Sequence, residues 1–100
     1  VAAIVTEEVE RFGLEAAALQ AAPLVSSLRE RAEMLRSAEI ARHAKRLDQL
    51  DEAQREIVEA ITRGVVAKLL HEPSVRLRTQ AGTPQGERNA AAVADLFDLG

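Results

Sequence analysis

The stretch DEAQREIVEAITRGVVAKLLHEP, Asp51 to Pro73, holds the most regular apolar pattern in the chain. It opens with a helix start. Asp51 can cap, Gln54 three residues later can reach back to the cap, and Leu50 is placed to staple onto the following turn. Gln54, Ile57, Val58, Ile61, Val65 and Leu69 then recur at three- and four-residue steps and predict a buried stripe, widened by Val66 and Leu70. Glu52, Arg55, Glu56, Glu59 and Arg63 fall mainly on the wet side. Pro73 reads as the stop, because the residue before a proline is pushed away from helical dihedrals. His71 then sits in the last turn, where a histidine complements the macrodipole or donates to a free carbonyl.

Upstream, Leu24, Val25, Leu28, Ala32 and Leu35 form a second stripe, continued by Ile40, Ala44 and Leu47. These positions predict a long amphipathic helix ending near Arg42, Lys45 and Arg46, with Arg29 and Glu33 one turn apart as an ion-pair candidate. Pro23 predicts a kink or break near Ala21 and Ala22, since proline has no N–H and crowds the carbonyl four residues back. Before it, Val9, Phe12, Ala16 and Leu19 mark an earlier helical run that contains Gly13. Downstream, Ser74 to Ala81 reads as a short separate helix. Gly82-Thr83-Pro84-Gln85-Gly86 reads as a loop, and a terminal helix from about Glu87 to Phe97 buries Ala90, Val93, Ala94 and Phe97.

The composition fits that reading. Apolar residues make up 47% of the 100 residues while aromatics make up 2%, so the core is aliphatic and alanine-rich, which suits closely spaced helices. Thirteen basic and sixteen acidic residues give a formal charge of −3, which argues against a generally cationic nucleic-acid binder. The chain has no cysteine, so disulfides, thiolate metal sites and a thiol nucleophile are excluded within it. No apolar run approaches the ~20 residues that span a bilayer, and the chain is expected to be cytoplasmic. It opens on Val1, inside a helical pattern, and reads as a piece of a longer protein.

The candidate chemistry is sparse. His71 lacks a converging polar group of the kind catalysis needs, and His43 and His71 lie on different elements with no thiolate to complete a zinc set, so no catalytic residue and no metal site is assigned. The Gly82 to Gly86 loop lacks the lysine and spacing of a phosphate cradle, so no cofactor site is assigned either. Basic residues from Arg29 to Arg46, with Arg42, Lys45 and Arg46 at the end, offer an alternative reading as an arm contacting RNA. What stands out instead is apolar surface. A chain this small with several amphipathic helices is most economically satisfied by sharing its stripes with a second copy. The fold expected is all-α: a helical bundle of two long amphipathic helices with short C-terminal helices, completed by dimerisation. Leu28, Leu35, Ile57, Ile61, Val65, Leu69 and Leu70 are the residues assigned to core or interface.

Glu7-Glu8-Val9-Glu10-Arg11-Phe12, then Leu28-Arg29-Glu30-Arg31-Ala32-Glu33, then Lys68-Leu69-Leu70-His71 followed by Pro73, and finally Leu96-Phe97-Asp98-Leu99 occur in this order across nearly the whole chain. This series resembles the C-terminal dimerisation domain of glutamyl-tRNA reductases. The resemblance implies a parent enzyme that uses NADPH to reduce the glutamyl group of charged tRNA to glutamate-1-semialdehyde, the entry to tetrapyrroles, with its cysteine nucleophile and its nucleotide site in other domains. It implies that residues 1–22 are the end of a spinal helix and that residues 23–100 are the dimerisation domain. The partner implied for this piece is a second copy of itself, while glutamyl-tRNA is bound elsewhere in the parent.

Overall fold

In the computed structural model, residues 2–99 are described, with side chains from Ala21 onward. Among them there are four helices and no strand: α1 (Ala2–Arg42), α2 (Ala44–Leu47), α3 (Glu52–Thr79) and α4 (Pro84–Leu96). The all-α expectation holds. The first-run stripe of Val9, Phe12, Ala16 and Leu19 lies outside the residues whose side chains are described.

The start of α3 forms as the sequence reads. Asp51 Oδ1 accepts from the Gln54 N–H at 2.8 Å, and Gln54 Oε1 accepts from the Asp51 N–H at 3.1 Å, a reciprocal capping box. The single turn of α2 and the bends around it reverse the chain between α1 and α3. Arg36 of α1 reaches Glu59 of α3 while Val25 and Leu28 cluster with Leu77, so the two long helices run antiparallel as a hairpin.

Neither proline ends its helix, which overturns the break at Pro23 and the stop at Pro73. α1 passes through Pro23 without interruption, and α3 passes through Pro73 and runs to Thr79, absorbing the short helix expected from Ser74 to Ala81. His71 is therefore an interior residue of α3. A proline inside a helix costs about 3 kcal/mol in isolation. Here each proline is solvent-exposed and close to a buried residue, Val25 two positions after Pro23 and Ser74 next to Pro73. Packing holds the helix on one face while water reaches the other. The carbonyl that Pro73 leaves without a donor belongs to Leu69, itself on the exposed side, so its hydration stays possible.

α4 begins earlier than the glycine-rich segment suggests. Gly82 takes a positive φ of 84°, and Thr83 then caps, its Oγ1 accepting from the Gly86 N–H at 3.0 Å, with Pro84 at the first helical position. The α4 turn presses so closely on the end of α3 that a Cβ at Gly86 would stand 1.8 Å from the Gln80 carbonyl oxygen. Asn89 adds a second link, donating to Gln80 Oε1 at 3.2 Å.

The buried core is small and lies at one end of the hairpin. Val25, Leu28 and Leu77 form it, with Leu24, Leu70, Ala90, Val93 and Leu99 packed around them from α1, α3, α4 and the tail. Phe97, expected inside, is exposed, and Leu99 tucks onto the core in its place. The hairpin beyond this base has no third helix over it. The radius of gyration is 19.0 Å and the long dimension 70 Å, against roughly 13 Å for the radius of a globular chain of this length.

A candidate self-association face

Four apolar or near-apolar doublets recur along α3: Ile57-Val58, Ile61-Thr62, Val65-Val66 and Leu69-Leu70. With 3.6 residues per turn, the two members of a doublet stand about 100° apart, so the doublets trace two adjacent rows along the helix. The structure treats the rows differently. Val58, Thr62, Val66 and Leu70 are half-buried on the α1 side, whereas Ile57, Ile61, Val65 and Leu69 are exposed by between 54% for Val65 and 69% for Leu69.

The residues assigned together from sequence thus separate. Leu28 is 1% exposed and belongs to the core, and Leu70 packs against that core. Leu35, Ile57, Ile61, Val65 and Leu69 belong to no intrachain core; Leu35 lies on α1 and is 56% exposed. Leu35, Ile61 and Val65 line an open groove of about 660 Å³ between α1 and α3, whose floor includes Val58 and Val66. Such a face in a monomer leaves a row of branched aliphatic side chains in water, each worth roughly 1.5–3 kcal/mol when fully covered.

Arg36 anchors the floor of this groove. It is 8% exposed, and its guanidinium is shared between three partners. Nε and Nη2 donate to the two Glu33 carboxylate oxygens at 2.8 and 2.5 Å, while Nη1 donates to Glu59 Oε2 at 2.6 Å and to Thr62 Oγ1 at 3.3 Å. Thr62 in turn donates to the Val58 carbonyl at 3.0 Å. The bidentate bond from Arg36 holds the Glu33 carboxyl below its ordinary range, and the bonds to Glu33 and then Glu59 raise the guanidinium. The cluster ties α1 to α3 where no third helix covers them.

This hub differs from the sequence-based reading, in which Glu33 pairs with Arg29 and Glu59 lies on the wet side. The missed signal was positional. Arg36 occupies the i+4 ladder of Leu28, Ala32 and Ile40, a series that faces α3, so its charge reaches Glu59 of α3 as well as Glu33 of its own helix.

The other candidates are dispersed. Arg42 is engaged by Glu39 at 2.5 Å, holding the Glu39 carboxyl below its usual range, and His43 Nδ1 lies 3.1 Å from the Glu39 carbonyl oxygen. His71 is exposed in the middle of α3. Among the described residues no three His, Cys, Asp or Glu side chains converge as a metal site, and no helix is long and apolar enough to cross a membrane.

Among the described residues, one apolar row of α3 is thus packed on α1 and the other lies open to water. A family model described as the glutamyl-tRNA(Glu) reductase dimerisation domain matches residues 1–99. The chain belongs to that family. Similar proteins include glutamyl-tRNA reductases of Chloroflexus aurantiacus, 42% identical over 96 residues, and Myxococcus xanthus, 43% identical over 97, each match covering 96% of this chain and 22% of the relative. The glutamyl-tRNA reductase of Frankia alni is 43% identical over 99 residues, 99% of this chain and 21% of the relative. The chain thus spans about a fifth of the length of the curated relatives it matches. No solved structure matches it. The resemblance carried by the KLLHEP segment and its neighbours therefore reached the right family, although that segment is the middle of a helix and not its end.

Proposed function

We propose that this chain joins two copies of a glutamyl-tRNA reductase, through the face formed by Leu35, Ile57, Ile61, Val65 and Leu69. The observation that carries the reading is the exposure of the whole α3 row in a chain that buries its other apolar row against α1. Covering such a row removes aliphatic area from water without separating any internal contact, and a second copy offers an identical row. Residues 1–22, which from Ala2 onward share one helix with Pro23 to Arg42, serve as the end of the connection to the rest of the enzyme, and residues 23–100 are the pairing unit.

Catalysis then belongs elsewhere in the parent, which reduces glutamyl-tRNA with NADPH in the cytoplasm. This piece contributes the spacing of two such catalytic units and no reacting group, cofactor contact or metal ligand. The alternative role as a tRNA-contacting arm would rest on Arg29, Arg31, Lys45 and Arg46, since Arg36 and Arg42 are bound to glutamates, and no aromatic side chain lies among them to stack on bases. The test is the mass of the chain by light scattering at tens of micromolar. A value near twice 10.8 kDa is expected, and a value near 10.8 kDa overturns the proposal.

A further inference from the structure

The groove between α1 and α3 is one continuous seat, and the chain fills only part of it. In the base, Ala90 and Val93 of α4 lie against Val25, Leu28 and Leu77. One turn further along each long helix the cover is gone: Ala32 follows Leu28 on α1, Val66 precedes Leu70 on α3, and both line the open groove. α4 is a third helix that stops partway.

The place where it stops can be followed residue by residue. Asn89 donates to Gln80, and Ala92 and Val93 share a cleft with Glu72, Pro73, Arg76 and Leu77, so α4 runs back along α3 toward the arm. Its next turn, Leu96 and Phe97, comes level with the preceding turn of α3, which carries Leu69. Gly86, Ala90, Val93 and Phe97 recur at three- and four-residue steps on the face that α4 turns to the core. Gly86 is buried and Ala90 and Val93 are half-buried, but Phe97 at the arm-facing end is 43% exposed and Leu96 beside it 78%. The chain then turns away. Asp98 takes a positive φ of 54° and the Leu99 N–H donates to the Ala94 carbonyl at 2.8 Å, which returns Leu99 to the core and leaves Leu96 and Phe97 in water.

From this we infer that Leu96 and Phe97 extend the self-association face from the arm onto the end of α4, so that the second copy takes the open part of the seat and abuts α4 there. The inference rests on the self-association reading above and adds a further element of the chain to it. Continuity at Leu69 makes the second copy the occupant. Five arm side chains exposed by 54–69% do not by themselves supply the ~800 Å² that a stable pair buries on each partner, and Leu96 and Phe97 add apolar area at the Leu69 end of the row.

The chain has neither tryptophan nor tyrosine, so Leu96→Trp places a single indole at the proposed contact. Its emission is expected to shift to the blue as the chain is concentrated through its pairing range. Leu96→Asp is expected to weaken self-association by ~10-fold or more in sedimentation across a concentration series, with the helicity of the monomer unchanged at so exposed a site. Met34→Gln, 56% exposed on the face of α1 turned away from the groove, should keep native affinity. In a native chain that dimerises, native affinity of Leu96→Asp, an indole whose emission does not move on pairing, or equal weakening by Met34→Gln each overturns the contact at α4 alone. A native chain that remains monomeric overturns self-association and this inference together.

Discussion

The two ends of the hairpin are built from similar residues and reach opposite outcomes. At the base, Val25 and Leu28 meet Leu77 under a roof of α4 and the Leu99 tail, and they are almost fully buried. Along the arm, Leu35 meets a groove and the row from Ile57 to Leu69 meets water. The chemistry of the side chains does not separate the two regions; the presence of a third layer does. Beyond α4 the Arg36 cluster and the half-buried row of Val58, Thr62 and Val66 hold α1 to α3, and the second row lies open. The base is what lets the chain fold, and the arm is what it offers.

The largest expected effects set these regions against each other. Ile61→Asp places a carboxylate that stays hydrated in the monomer but must be desolvated in each copy of the pair, so association should weaken by roughly 3–5 kcal/mol with little change in the helical content of the monomer. Sedimentation across a concentration series and circular dichroism of the same samples read the two quantities. Leu28→Ala, at a site 1% exposed, should lower unfolding stability by about 2–5 kcal/mol in denaturant titrations, whether or not the chain is paired. If Leu28→Ala left stability intact while Ile61→Asp unfolded the monomer, the assignment of base and arm would be reversed.

A smaller effect is expected inside the base. Ser74 is 1% exposed, and its hydroxyl has no hydrogen-bond partner among the described residues. Ser74→Ala removes that unpaired group and improves helix propensity, so it should raise stability by about 1 kcal/mol in the same titrations. Loss of stability would mean that the hydroxyl is satisfied by a group of the paired state or by water.

The smallest effect concerns the arm's polar cluster. Arg36 lowers the Glu33 carboxyl in the folded chain, so the stability it lends is present above the ordinary carboxylate range, near ~4.3, and is lost as pH falls through the lowered folded value. An acid titration followed by circular dichroism should show this loss diminished in Glu33→Gln. A rise in stability on acidification would contradict the cluster.

Much of this was legible in the sequence because it depends on local chemistry. The Asp51–Gln54 box, the helical doublets of α3 and the alanine-rich composition each point to helices without any knowledge of distant contacts. What was not legible depends on packing across the hairpin. Pro23 and Pro73 are read locally as breaks, yet both helices run on through them, with Val25 and Ser74 buried in the same turns. Residues such as Leu28 and Leu35 look equivalent on one stripe; the reach of α4 decides that one is core and the other exposed. Gly86 gave no hint of its role until the Gln80 carbonyl was found against it.

The division between a covered base and an available arm can be measured most directly by amide hydrogen exchange as the chain is diluted from tens of micromolar to well below its dissociation constant. Residues 57–69 should lose protection on dilution while residues 74–81 keep theirs. Equal loss in both segments, or unchanged exchange along 57–69 in a chain shown to dissociate, would contradict the account.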